Sequence, residues 1–295
     1  MKKTLMQLAQ EEEQNYSSPI VAAKINGEVR DIQSEYDHDD EISFIELNTS
    51  LGWRIYQRSI LFLFIVAVSN MNKEAEVVAK FTVNKGLYCE VKIPGKPINA
   101  HLIHDIEQEM REMIANNTPI VKHSIPRQEA IELFQAHGRR GKAALIASLP
   151  HSMISIYTCR NYPDYLYGAM LPETKLLGQF ALDVEQSGVL IRTPDEMTDG
   201  KIRTRVEQPK FEHILSEAKE WAKILECPYI SDLNQINNEH RMGELIRISE
   251  ALQEKRIAQI ADHIASHRNN IRLILIAGPS SSGKTSFAQR IKIQL

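Results

Sequence analysis

Apolar and polar positions along this chain alternate in some stretches, recur at helical spacing in others, and in two places give way to unbroken apolar runs. Leu5, Leu8 and Ala9 follow Thr4, and Gln7 stands three residues after it, which predicts a short capped helix. "IVAAKINGEVRDI" then reads as two strand-like runs around Asn26-Gly27, the preferred pair for a type I′ hairpin turn. Residues 41–47, "EISFIEL", alternate as a half-buried strand does. A helix beside a few short strands predicts a small α+β module over residues 1–50.

A larger α+β unit is expected over 51–207. It opens with the helix "WRIYQRSILFLFIVAV". A second helix is predicted over 102–115, with Leu102, Ile106, Met110, Met113 and Ile114 inward. A third starts at Pro126, a favoured first helical residue, and stops at Gly138. "SMISIYTC" and "LLGQFALDVEQSGVLIRT" are predicted as strands of an antiparallel sheet. A helical linker follows over 208–270. Phe211, Ile214, Leu215, Ala218, Trp221 and Leu225 form one stripe, and Leu245, Ile248, Leu252, Ile260 and Ile264 a second.

Residues 271–295 hold the most specific motif. Leu273 to Ala277 is apolar at every position, as expected of a strand buried on both faces of a parallel sheet. Next comes Gly278-Pro279-Ser280-Ser281-Ser282-Gly283-Lys284-Thr285-Ser286, which contains G-x-x-x-x-G-K-[ST], the Walker A pattern. Glycines let backbone N–H groups converge on phosphate oxygens, and the following helix offers its positive dipole end. Lys284 would neutralise the β/γ-phosphates of ATP, and the Thr285 hydroxyl would ligate Mg²⁺. Phe287, Ala288, Ile291 and Leu295 space as that helix. A P-loop enzyme also needs an acid for Mg²⁺, a water- or base-positioning group and an acceptor pocket. The expectation is therefore a chain cut one helix into its kinase domain, without kinase activity of its own. The 273–277 strand, lacking neighbours, should pack against another copy or abandon strand structure, leaving ATP affinity poor.

Composition narrows the classes without naming one. With 43% hydrophobic and 25% charged residues the chain reads as globular, and a net charge of −3 argues against bulk electrostatic binding of nucleic acid. Cys89, Cys159 and Cys227 form no C-x-x-C and read as reduced thiols. The N-terminus turns acidic before any apolar core develops, and Ile60–Val68 is too short for a bilayer span, so a cytoplasmic location and no membrane partner are expected.

"VAAKINGEVRDI" resembles the TGS module, the β-grasp domain of threonyl-tRNA synthetase. "IPRQEAIELF" and "ISIYTCRNYPDYLYGAMLPET" resemble that family's editing domain, the second additional domain. The loop, preceded by "SEALQEKRIAQIADHIA", is similar to the start of a uridine kinase/phosphoribulokinase-like P-loop domain. The resemblance implies an α+β multidomain chain: a β-grasp module, an editing-like domain, a helical linker, and the first strand-loop-helix of an α/β kinase domain. It implies an ATP-dependent kinase acting on a small hydroxyl compound such as a nucleoside. The other reading is a non-catalytic module that binds RNA or a small ligand. The synthetase family edits with H-x-x-x-H on the first long helix and C-x-x-x-H in a later loop. Here those positions hold Arg58, Phe62, Leu166 and Met170, which lack the ligand set for a metal and the groups for proton transfer. Asp164 stays. The TGS match begins at the helix, without the strand pair that precedes it in that family.

Other groups carry weaker signals. His263 and His267 with Asp262, and His101 and His104 with Asp105, read as solvated or capping groups or as partial metal sites. "HGRRGK", 137–142, is a solvated basic loop or a phosphate contact. "YTCRNYPDYLYG" lines an aromatic small-ligand pocket or packs around a vestigial cleft.

Overall fold

Thr4 starts the chain's first helix, α1 (Leu5–Glu12), and its N–H donates to Gln7 Oε1 at 3.2 Å. The computed structural model describes residues 4–185 and 188–295. Residues 1–3 of the expected first module, and Gln186 and Ser187 within the run 176–193, lie outside the described residues. The chain is mixed α+β with several sheets. It divides into a unit ending at Glu212 and a unit from His213 to Leu295.

In the first unit, β1 (Ile20–Ile25) and β2 (Glu28–Asp31) are joined by Asn26 and Gly27 at φ 51 and 85. Two positive φ values in succession make the predicted type I′ turn. β3 (Ile42–Glu46) pairs with the other edge of β1, giving the antiparallel order β2-β1-β3. Leu5, Ala9, Ala23 and Ile32 close a small core under this sheet. Val21, Ala22 and Ile45 belong instead to the main core.

That core is organised by α2 (Ser50–Met71). Thr49 caps it, accepting from the Gly52 N–H at 3.1 Å. From Ile60 to Val68 every residue but Leu61 is buried, so the helix shows no polar face. It is the one helix among the described residues long and apolar enough to cross a membrane, yet it is mostly buried inside the protein. Around it stand α3 (Ala100–Ala115), capped by Asn99, and the hairpin of β4 (Glu76–Val83) and β5 (Gly86–Lys92). The sequence reading left this hairpin out. Its turn, Asn84-Lys85, has φ 51 and 65 but no glycine to announce it.

Next come β6 (Val121–Pro126), α4 (Arg127–Ala136), α5 (Arg140–Ala147), β7 (Met153–Cys159) and β8 (Tyr162–Asp164). Pro126 ends β6 opposite Met153, and α4 begins one residue later than predicted. The sheet order is β6-β7-β8. Ile154 and Ile156 join Ala130, Phe134, Ala143 and Ile146 in a second core, whereas Tyr157 and Cys159 join the main one. Two opposite faces of one strand thus serve two cores.

The run 176–193 does not join β7 in one sheet, contrary to expectation. It supplies β9 (Ala181–Glu185) and β10 (Gly188–Arg192) to a separate sheet, order β4-β5-β10-β9. Close approach explains the choice of partner, since a Cβ on Gly188 would lie 2.1 Å from Cys89 O on β5.

α6 (Pro209–Ile224) crosses the boundary, and α7 (Ile230–Asn238), α8 (Met242–Ser266) and α9 (Lys284–Gln294) follow. α8 and α9 pack together, with Ile257, Ala261 and Ile291 buried and Arg290 3.3 Å from Glu254. Here the run 273–277 abandons strand structure, one of the two outcomes expected of it without neighbouring strands. Residues 271–278 form no strand, and Leu273 and Leu275 are 75% and 83% exposed. A strand needs a neighbour for its ladder, and none pairs with this segment among the described residues.

Gly52 tests how tightly the first module is joined to α2. Alanine in a helix ordinarily gains about 1 kcal/mol over glycine. A Cβ here would lie 2.2 Å from Glu46 O and 2.6 Å from Leu47 O, both backbone atoms that yield little. Overlap of this kind costs about 1–3 kcal/mol or more. Gly52→Ala should therefore lower stability in urea denaturation, and an equal or higher midpoint would contradict this packing.

Candidate functional site

The P-loop segment keeps part of its expected geometry. Gly283 is left-handed at φ 78 and stands as N-cap of α9, whose first residue is Lys284. Ser281 is also left-handed, at φ 60. Ser280, Ser281, Ser282, Thr285 and Ser286 are exposed, so their hydroxyls and the first amides of α9 are open to an anion. A Cβ on Gly278 would lie 2.7 Å from Ser282 Oγ, so a larger residue there would have to turn that hydroxyl away. Lys284 Nζ donates to the carbonyl of Pro279 at 2.6 Å, within the loop itself. The donor set fits a nucleotide phosphate. No group of three or more His, Cys, Asp or Glu side chains suited to a metal occurs among the described residues. Thr285, exposed in the first turn of α9, is the residue that would hold Mg²⁺.

The four editing-like positions do come together, against the main core. Arg58, on α2, donates to the carbonyl of Ala169, and Ser59 Oγ accepts from the Leu171 N–H at 2.9 Å. These bonds lay the loop 165–171 along α2. Phe62 and Met170 are fully buried, and Leu166 packs on the same cluster. Gly168 has φ 94, and a Cβ on it would lie 2.9 Å from Arg58 Cζ, so the guanidinium lies against bare backbone. Burial pulls the Arg58 pKa down, while Tyr157, Asp31 and Tyr167 hold its charge in place. The cleft is filled by an arginine and apolar side chains where imidazoles and a thiolate would be needed.

Two residues at this cleft, Asp31 and Lys122, escaped the sequence reading, and the third, Tyr157, was read as part of the run 157–168. Asp31, 2% exposed, accepts from Tyr157 Oη at 2.7 Å, from the Met170 N–H at 3.0 Å and from Lys122 Nζ at 2.5 Å. They lie on β2, β7 and β6, and no local motif links them. Tyr157 is pushed upward by burial and by the Asp31 carboxylate.

Asp164 is not alone either. It is buried and bonded to Lys142 Nζ, with Arg139 Nη1 at 3.5 Å and the Tyr165 N–H at 2.7 Å. Arg139 also donates to Pro163 O at 2.9 Å and lies 4.1 Å from the Tyr162 ring centroid. Two cations of the basic loop are therefore turned inward, while His137 and Arg140 stay exposed. Of the tyrosines nearby, Tyr157 is buried and Tyr167 is 87% exposed.

The histidine pairs stay at the surface. His101 Nε2 is 3.8 Å from Asp105, with both side chains well exposed. His263 and His267 stack with centroids 4.4 Å apart, and His267 Nδ1 contacts His263 O at 2.9 Å.

No family model matches the chain. Among curated proteins it is similar to the threonine–tRNA ligase of Clostridioides difficile, 25% identical over 226 residues, or 73% of this chain and 35% of the relative. That of Methylococcus capsulatus is 26% identical over 180 residues, 61% of this chain and 28% of the relative. That of Francisella tularensis subsp. novicida is 29% identical over 162 residues, 55% and 25%. The chain spans a quarter to about a third of the length of these relatives. They support a threonyl-tRNA synthetase-like domain and leave the uridine kinase part of the resemblance without support.

Tyr162 reports on the Asp164 cluster. Its pKa is pushed up to about 12, first by burial and then by Asp164, with Arg139 opposing. A phenol whose folded pKa exceeds its unfolded value of about 10 stabilises the fold fully below pH 10. That contribution should vanish as the pH rises from about 10 towards 12. Tyr162→Phe should make the loss of stability over this range shallower, as measured by denaturation at stepped pH. An unchanged slope would show that Tyr162 titrates as if in water.

Proposed function

We propose that this chain acts as a non-catalytic binding module related to the N-terminal region of threonyl-tRNA synthetase, with RNA as its ligand. The observation that carries the reading is the filled cleft. Arg58, Phe62, Leu166 and Met170 occupy the positions that would need metal-binding or proton-transferring groups. Without them, activation of water for ester hydrolysis has no provider.

RNA is favoured over a small ligand by charge segregation. The chain carries 35 Lys and Arg against 38 Asp and Glu, yet residues 121–168 hold six against three, and Arg140 among them is exposed while Lys122, Arg139, Lys142 and Arg160 are held in ion pairs. Arg140, His137, His123 and His151 are exposed in this stretch, and so is the ring of Tyr167. An exposed guanidinium, imidazole N–H donors and an aromatic ring suit a phosphate backbone and unstacked bases. The curated relatives are named for acting on a tRNA, which agrees with this ligand class.

Fluorescence anisotropy with labelled tRNA tests the proposal. Binding should weaken with salt, and Arg140→Glu should lower the slope of log affinity against log salt by about one. Seryl-tRNA should be deacylated no faster than in buffer. Affinity unchanged by Arg140→Glu, or deacylation above buffer, would overturn the reading.

A second reading is favoured by the turn geometry at Gly283 and the helix start at Lys284. Residues 278–286 would bind ATP phosphates, with Lys284 as the charge partner and Thr285 holding Mg²⁺, as part of a uridine kinase-like phosphotransferase acting on a small hydroxyl compound. For Lys284 to reach a phosphate it must leave Pro279 O. Weak ATP binding that Lys284→Ala abolishes is the expected result. Equal binding by both forms would remove this reading while leaving the RNA reading untouched.

A further inference from the structure

Asp31 reaches the cleft from outside it. The residue ends β2 in the N-terminal module, whereas its partners Lys122, Tyr157 and Met170 belong to β6, β7 and the loop after β8. Lys122 and Tyr157 sit directly opposite each other in the β6–β7 register, so both side chains leave the same face of the sheet. The Met170 N–H adds a fixed donor, and Arg58 adds positive charge nearby. An ammonium, a hydroxyl and a backbone N–H thus converge on two oxygen positions. Oδ1 takes the hydroxyl and the N–H, and Oδ2 takes the ammonium.

We propose that this cradle is a carboxylate-binding site that the chain caps with its own Asp31, so that a free small carboxylate occupies it when the Asp31 side chain is withdrawn. Stability alone does not call for such a donor set. The attraction within a buried ion pair is largely offset by desolvation, and apolar side chains of similar volume would hold the two parts together as well. The capping segment meets the cradle through polar groups. Asp31 and Gln33 face the cradle, where Gln33 Nε2 donates to Ile120 O at 2.7 Å and Gln33 Oε1 accepts from the Lys122 N–H at 3.3 Å. Ile32 between them turns into the small core of the N-terminal module. Withdrawing Asp31 leaves an ammonium, a hydroxyl and an N–H without their acceptor, a large cost that a free carboxylate in the same place would recover. Lys122 keeps a quarter of its side chain exposed, which gives an anion a route in. The inference stands on this geometry and holds whether or not the module binds RNA.

Chemical rescue tests it. Asp31→Gly removes the atoms that acetate would supply. In this variant acetate should raise the thermal midpoint saturably, by about 3–6 °C at a tenfold excess over its dissociation constant, relative to sodium chloride of equal ionic strength. The wild type should not respond, because Asp31 fills the site. Asp31→Asn, which fills the same space, should not respond either. Adding Lys122→Met to Asp31→Gly should abolish the rescue. If Asp31→Gly is too unstable to purify, its refolding yield in acetate against chloride gives the same reading. No rescue of Asp31→Gly would overturn the proposal. So would an equal response of the wild type, or inorganic phosphate matching acetate, which would mark a general effect of anions.

Discussion

Burial of the stretch Ile60–Val68 of α2 on nearly all its sides is the constraint on which the first unit rests. Ile55, Ile60, Phe62, Leu63, Phe64, Val66 and Val68 are each nearly or wholly inaccessible, at about 1.5–3 kcal/mol for each large side chain removed from water. A helix so apolar needs cover from every direction, and β1, β3, β4, β8 and α3 provide it. Each sheet of the unit therefore has one face committed to the same helix, and the position of the candidate cleft follows. Arg58 and Ser59 sit where the polar first half of α2 meets the wholly apolar second half. The loop 165–171 is bonded there because those are the polar side chains α2 offers it.

Charge then fastens what apolar packing brings together. Asp31 meets Lys122, Asp164 meets Lys142 and Arg139, Asp183 meets Arg192, and Glu185 meets Arg205. The four carboxylates lie on β2, β8 and β9, and each pair spans elements distant along the chain or adjacent in a hairpin. Buried pairs add little net stability, but a misplaced element would leave a carboxylate without a partner at a cost of several kcal/mol. They select one arrangement of the sheets among those the apolar core would accept. Arg192 extends the same logic by donating to Arg203 O at 2.6 Å, which draws the irregular stretch after β10 back onto its sheet.

Local signals in the sequence carried local structure. Asn26-Gly27 announced its turn because glycine tolerates positive φ, while Asn84-Lys85 makes the same turn with a residue that gives no such notice. The run Ile60–Val68 was legible as a buried helix from its composition. Sheet membership was not, because β7 and β10 look alike as apolar segments and their partners are chosen by close contacts such as Gly188 on Cys89. The absence of a metal-ligand set at Arg58, Phe62, Leu166 and Met170 was readable position by position. The Asp31–Tyr157–Lys122 cradle was not, since its members are up to 126 residues apart and each alone is an ordinary strand residue. The basic loop 137–142 held a usable clue, as an excess of cations beside Asp164 is half of an ion pair.

The P-loop segment sets the limit of such local reading. The turn at Gly283 and the helix from Lys284 follow from a glycine that accepts φ 78 and from good helix formers after it. Both are decided within a few residues. The strand before the loop is a different kind of element, because its backbone groups need a neighbouring ladder that no residue in 271–278 can provide. Its leucines are left in water, and Lys284 turns to the loop's own carbonyl at Pro279. Phosphate affinity in such loops comes from amides held in convergence by a sheet behind them. The motif therefore specifies the donors, and the sheet specifies whether they act together.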